Sequence, residues 1–127
     1  MLKIDLGPLE KAYLSLKKAT EKEKDEFIRD SVIQRFEFTF ELSWKTLKRY
    51  FEWNQKLSES NVKNIFRTAG NQGLIDSVEQ WFEFHRARNE TSHTYDEKKA
   101  EEIYGVAIQF VPHCKILLDR LKKVQGN

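Results

Sequence analysis

The chain has 127 residues, a mass of 15.1 kDa and a formal net charge of +2 from 22 basic and 20 acidic side chains. That is one domain's worth of chain, too near neutral for a basic nucleic-acid coat and too balanced for an acidic tail. Charged residues at 33% suit amphipathic helices, and 13% aromatic content excludes disorder.

Leu6, Leu9, Tyr13, Leu16 and Ala19 recur every three or four residues and predict a helix over about 6–22. Neither Gly nor Pro occurs between Pro8 and Gly70, which favours long helices. After the charged stretch Glu21–Glu26, Asp25 can cap a second helix over about 26–53. Its stripe is Ile28, Val32, Phe36, Phe40, Trp44 and Leu47, widened by Ile33 and Phe51. Residues 36–42 also alternate as a strand would, but the helical period runs unbroken on both sides. The alternation therefore puts apolar residues on two faces, Phe36/Phe40 and Phe38/Leu42. Two apolar faces require two packing partners, so this helix is expected to be central or to lie in a subunit interface.

Residues 54–60 read as a loop, with Ser60 capping a short helix over about 61–69 that stops at Gly70. A turn at Asn71-Gln72-Gly73 leads to a fourth helix over about 75–87. A polar break follows at 89–95, and Asp96 caps a last helix running to about 123. Its inward residues are Ala100, Ile103, Ala107, Phe110, Leu117 and Leu121; Pro112 is expected to kink it, because the period resumes at Ile116. Short connections between long helices predict an all-α, antiparallel up-and-down bundle of four to five helices, with residues 1–127 as one domain.

Cys114 is the only cysteine, which excludes an internal disulfide and a cysteine-based zinc cluster. It reads as a buried small hydrophobe. The N-terminus has no run of signal-peptide length, and no window has the uncharged apolar length of a membrane span. A cytoplasmic protein without membrane contact is expected. The five glycines are scattered, so there is no phosphate-cradling loop. His85, His93 and His113 stand far apart, and no His-Glu-x-x-His pair occurs. No metal and no cofactor is expected.

The segment from Phe84 to Tyr95 gathers two arginines, two histidines, amides, hydroxyls and a phenol at a helix break. It reads either as a solvated loop whose cations complement a helix C-terminus, or as an acid–base site acting on phosphate. Arginine offers a bidentate fork to phosphate oxygens, and histidine moves protons near neutral pH. The two together can break RNA without a metal, because the substrate's 2′-hydroxyl serves as nucleophile.

The spacing Arg88, four residues, His93, one residue, Tyr95 is similar to the signature of the HEPN superfamily, specifically its HepT-like toxin branch. The words Val32-Ile33-Gln34-Arg35-Phe36-Glu37-Phe38-Thr39-Phe40-Glu41-Leu42-Ser43-Trp44-Lys45 and Arg88-Asn89-x-Thr91-Ser92-His93-Thr94-Tyr95 resemble the related nucleotidyltransferase substrate-binding proteins. The resemblance covers about 5–123. It implies a dimeric helical bundle like the C-terminal domain of kanamycin nucleotidyltransferase. It also implies a small nucleotidyltransferase partner, like the antitoxin MntA, encoded nearby. In active members two Arg/His pairs meet across the dimer in one RNA-cutting site, and the partner adenylylates the motif tyrosine. Carried over, Arg88 would stabilise phosphate, His93 would be general acid/base, Asn89 would orient phosphate or the loop, and Tyr95 would be the modified residue. The nucleotidyltransferase signature itself, Gly-Ser with a downstream Asp-x-Asp, is missing, so this chain is not expected to transfer the nucleotide.

A second constellation lies on the long helix: Arg35, Glu37, Glu41, Lys45 and Lys48. It reads either as a solvated face or as a charged groove for the partner or a polar substrate. Trp44, Trp53 and Trp81 read as core or interface anchors, with base stacking as the alternative. Three functions stay open: an endoribonuclease toxin, a non-catalytic substrate-binding subunit, and a scaffold. The intact motif favours the first, with RNA as substrate and a homodimer or larger assembly as the working form.

Overall fold

A computed structural model describes residues 3–126 as five α-helices and one 3-10 turn, with no strand among the described residues. Met1, Leu2 and Asn127, the ends of the expected domain, lie outside the described residues. The helices are α1 (Gly7–Thr20), α2 (Glu26–Gln55), α3 (Val62–Asn71), α4 (Val78–Asn89) and α5 (Glu97–Gln125), with the 3-10 turn at Thr91–His93.

Four of the five helix starts carry a side-chain cap. Ile28 N–H donates to Asp25 Oδ1 (2.7 Å), Gln80 N–H to Ser77 Oγ (3.1 Å) and Lys99 N–H to Asp96 Oδ1 (3.2 Å). The cap of α3 is Asn61, whose Oδ1 accepts from Asn64 N–H, so Ser60 is not the cap. The fourth helix begins at Val78, three residues later than expected. Leu74 and Ile75 are buried but stand before Ser77, in a connection that dips into the core. Gly73 turns the chain there with φ 73°, a conformation L side chains rarely adopt. At Gly70 a Cβ would meet Val78 Cγ2 at 2.5 Å, so glycine is what lets α3 and α4 approach.

The apolar alternation at 36–42 lies inside α2, as the helical period required. Phe36 and Phe40 are fully buried, whereas Phe38 is 39% exposed and Leu42 half-buried. The helix does have two apolar faces, and one of them opens outward. Helix α2 is central, contacting α1, α3, α4, α5 and the 3-10 turn. Phe110 of α5 joins this centre, with ring centroids 5.1 Å from Phe84, 5.3 Å from Phe36 and 5.4 Å from Trp81. Helix α5 is continuous through Pro112, and its Cys114 is buried in the core.

Candidate functional site

Helices α4 and α5 meet at a corner spanning residues 88–96. The last turn of α4 closes with Glu90 N–H donating to the Ala87 carbonyl (3.1 Å), and Thr91 Oγ1 donating to the Arg88 carbonyl (2.9 Å). His93 N–H donates to the Glu90 carbonyl (3.0 Å), and Asp96 N–H donates back to the His93 carbonyl (3.1 Å). His93 is thus pinned by its backbone on both sides while its ring is exposed. The polar break is a built corner, and not an open loop.

Charges brace it. Glu90 takes Arg86 Nη1 at 2.9 Å and Lys99 Nζ at 2.8 Å, linking α4 to α5 across the corner. Lys99, then Arg86, hold the Glu90 carboxyl below the usual carboxylate range, and Arg86 does the same to Glu83. On the far side, Arg29 of α2 is only 4% exposed. Its guanidinium holds Glu97 at 2.7 Å, Glu101 at 3.3 Å and Asp30 at 3.1 Å, fixing the first turn of α5. Nothing in the sequence marked Arg29, since its partners on α5 are 68 and 72 residues away.

Arg88 points from α4 onto α2. Its Nη2 lies 3.6 Å from Glu37 Oε1, and its Nε lies 3.0 Å from Glu41 Oε1. The Nε–H is not aimed at that oxygen, and no hydrogen-bond acceptor is aligned with it among the described residues. The pair is therefore Coulombic contact more than bonded clamp. The two constellations separated in the sequence become one here, joined by Glu37 and Glu41. Lys45 reaches Glu41 at 3.9 Å. Arg35 does not join: its Nε donates to Ser15 Oγ (3.0 Å), and its Nη1 to Ser31 Oγ, toward α1. Of the expected groove of Arg35, Glu37, Glu41 and Lys45, the last three share ion pairs around Arg88 and Glu41, while Arg35 lies on another face of α2.

His93 Nδ1 stands 3.3 Å from the Tyr95 hydroxyl, with ring centroids 5.9 Å apart at 78°. Tyr95 is 83% exposed, so its hydroxyl is open to a second reactant. Asn89 is exposed too, lining a shallow cavity of about 520 Å³ with Lys63, Phe82, Glu83, His85 and Arg86. His85 stacks on Phe40 at 5.9 Å and 14°, and burial lowers its pKa, with Lys63 adding to the effect. His113 packs edge-on against Phe84. Neither shares the exposure of His93. Trp81 is core, Trp44 half-buried and Trp53 on the surface. Among the described residues no three His, Cys, Asp or Glu side chains converge as a metal site would require, and no helix is long and apolar enough to cross a membrane.

Residues 4–123 match the family described as nucleotidyltransferase substrate binding protein like. The chain belongs to this family. It is the family that the motif words of α2 and of the α4–α5 corner resembled. A Haemophilus influenzae protein called a probable ribonuclease HepT is 31% identical over 137 residues, covering 95% of this chain and 94% of its own. A crystal structure from Thermus thermophilus superposes with a TM-score of 0.83 at 32% identity, over 90% of this chain and 98% of that one. A Haemophilus influenzae structure described as the fold of a substrate binding domain of a nucleotidyltransferase gives 0.84 at 29%, over 93% and 99%. The fold of this substrate-binding-protein-like chain is accordingly the all-helical nucleotidyltransferase substrate-binding fold.

Proposed function

We propose that this chain is the HEPN-type toxin subunit of a two-gene toxin–antitoxin module. It is a metal-independent endoribonuclease, active as a homodimer and neutralised by a partner nucleotidyltransferase encoded nearby. The observation that carries the reading is the corner itself. The turn after α4 presents an exposed imidazole, His93, in contact with an exposed phenol, Tyr95, five residues after Arg88, whose counter-ions are loosely aligned.

The chemistry balances without a metal. One His93 takes the proton of an RNA 2′-hydroxyl, and the 2′-oxygen bonds to the adjacent phosphorus. The bond to the 5′-oxygen breaks, and that oxygen takes a proton from the second copy's imidazole. The products are a 2′,3′-cyclic phosphate and a 5′-hydroxyl. Arg88 exchanges its carboxylates for the phosphate and stabilises the charge that develops there. Asn89 orients phosphate or the loop. Phe38 lines a shallow groove with Glu37 and Glu41, the carboxylates beside Arg88. A homodimer formed on that face brings two corners together. Neutralisation follows when the Tyr95 oxygen attacks the α-phosphorus of ATP and expels pyrophosphate, releasing the phenolic proton. The new group removes the hydroxyl that meets His93 Nδ1, and its phosphate competes for Arg88.

The second reading is the non-catalytic subunit that presents substrate to a separate nucleotidyltransferase. It is favoured by the occupied resting state of Arg88, which suits ligand exchange without turnover. Expression in cells separates the two. The toxin reading expects growth arrest by the chain alone, relief by the partner, and a mass gain of one or more AMP units that Tyr95→Phe lacks. A harmless chain, with intact cellular RNA and a partner whose nucleotidyl transfer requires it, would establish the second reading instead.

A further inference from the structure

The exposed stripe of α2 does not stop at Glu41. Trp44, Lys45, Lys48, Arg49, Glu52 and Trp53 continue it and line a groove of about 370 Å³. The six residues span about half of the helix circumference, with Trp44 and Trp53 at the two edges of the groove and about 14 Å apart along the axis. Trp44 is oriented by its indole N–H, which donates to Glu41 Oε2 (3.2 Å). Trp53 is 48% exposed, an unusual cost for an indole with no covering element. A cation sits by each ring: Lys45 Nζ at 5.8 Å from the Trp44 centroid and the Arg49 guanidinium at 5.9 Å from Trp53. Glu52 is paired with Lys48 within the helix, and Arg49 has no carboxylate partner among the described residues. The groove thus has surplus positive charge and two aromatic faces. Glu41, which touches Arg88, Trp44 and Lys45, connects it to the corner.

We propose that this groove is a single-stranded RNA subsite that leads the chain of nucleotides into the Arg88/His93 corner. The proposal rests on the ribonuclease reading and names how its substrate is held. Bases stack on the Trp44 and Trp53 rings, while Lys45 and Arg49 meet the phosphates between them. Stacking plus surplus charge selects unpaired strands, because a duplex hides its base faces. A protein partner on the same surface is the competing occupant. Its anchors would be acidic side chains, and it would leave RNA affinity untouched.

The test uses the full chain carrying His93→Ala, titrated with a single-stranded oligouridylate and with a duplex of equal length while tryptophan fluorescence is followed. The single strand should quench fluorescence and bind more tightly than the duplex. Trp53→Ala should weaken binding about tenfold or more. Arg49→Gln, a surface change that leaves the core alone, should weaken it and reduce the salt slope by about one. Lys115→Gln, on the exposed face of α5, should not. Unchanged affinity in both groove variants, equal duplex binding, or loss of partner association alone would overturn the proposal. The two readings fail separately. Oligonucleotide binding through the groove by a wild-type chain that cuts nothing would sink the nuclease and keep the subsite. Cleavage with wild-type affinity in Trp53→Ala would do the reverse.

Discussion

Glu41 serves three partners at once: Arg88, Lys45 and the Trp44 indole. With side chains about a quarter exposed on both sides, its pair with Arg88 is worth about 0.2–1 kcal/mol. Glu41→Gln keeps the acceptor for Trp44 and removes the charge that competes with phosphate. The KM for RNA should fall about two- to fivefold, with folding stability changed by no more than that pair energy. A KM that rises would show that Glu41 assists catalysis and does not restrain it. Cys114 makes a second residue-scale case. Burial pushes its thiol up to about 12, so it should resist a thiol reagent at pH 8 in the native state and react once urea unfolds the chain. Fast native labelling would mean the α5 core opens. At this scale the placement of Arg88, His93 and Tyr95 at one helix break was legible, while the roles proposed for them come from the family resemblance. Their neighbours were not. Nothing in the i, i+4 spacing of Glu37 and Glu41 tells which helix will meet that face, and the exclusion of Arg35 depends on the packing of α1.

The corner between α4 and α5 is held by capping and by charge, and the charge titrates. Glu90 (by Lys99, then Arg86), Glu83 (by Arg86) and Glu101 (by Lys24, then Arg29) all have carboxyls held below the ordinary value of 4.5. A lowered folded pKa stabilises the fold above the unfolded value and loses that contribution as pH falls through the folded one. Urea midpoints should therefore stay level from pH 7 to about 5 and drop below about pH 4.5, with hydrogen exchange at residues 90–97 rising first. A midpoint that holds to pH 3 would show that these ion pairs add nothing. Element by element, the buried stripes of α1 and α5 follow the sequence period at every expected position. The starts of α3 and α4 were harder to read. Ser60 and Asn61 are both capping types, and buried Leu74 and Ile75 mimic the first turn of a helix that begins only after Ser77. Local periodicity sees burial, and does not see whether a buried residue sits on a helix or in a connection.

At the scale of the molecule, the two-faced α2 is the organising feature. Phe36 and Phe40 fill the centre, and the Phe38 face opens beside Arg88's carboxylates. The homodimer proposed on that face should give about twice the 15.1 kDa chain mass by light scattering. Phe38→Arg should return it to one chain with its helical signal intact and its RNA cleavage lost; an unaltered dimer would place the interface elsewhere. The bundle was legible because long periodic segments, with neither Gly nor Pro between Pro8 and Gly70, leave few alternatives. The meeting of the α4 end with the middle of α2 was not, because only tertiary packing decides it. The measurement that bears most directly on the account is cleavage of single-stranded RNA by the purified, unmodified chain in excess chelator, wild type against His93→Ala. His93 is exposed, so the variant should fold as the wild type does, within about 0.5 kcal/mol. The wild type should leave 2′,3′-cyclic phosphate and 5′-hydroxyl ends, and the variant should be slower by about 10²–10⁴-fold. An inert wild type, cleavage that chelator abolishes, or a variant that cuts at the wild-type rate would contradict it.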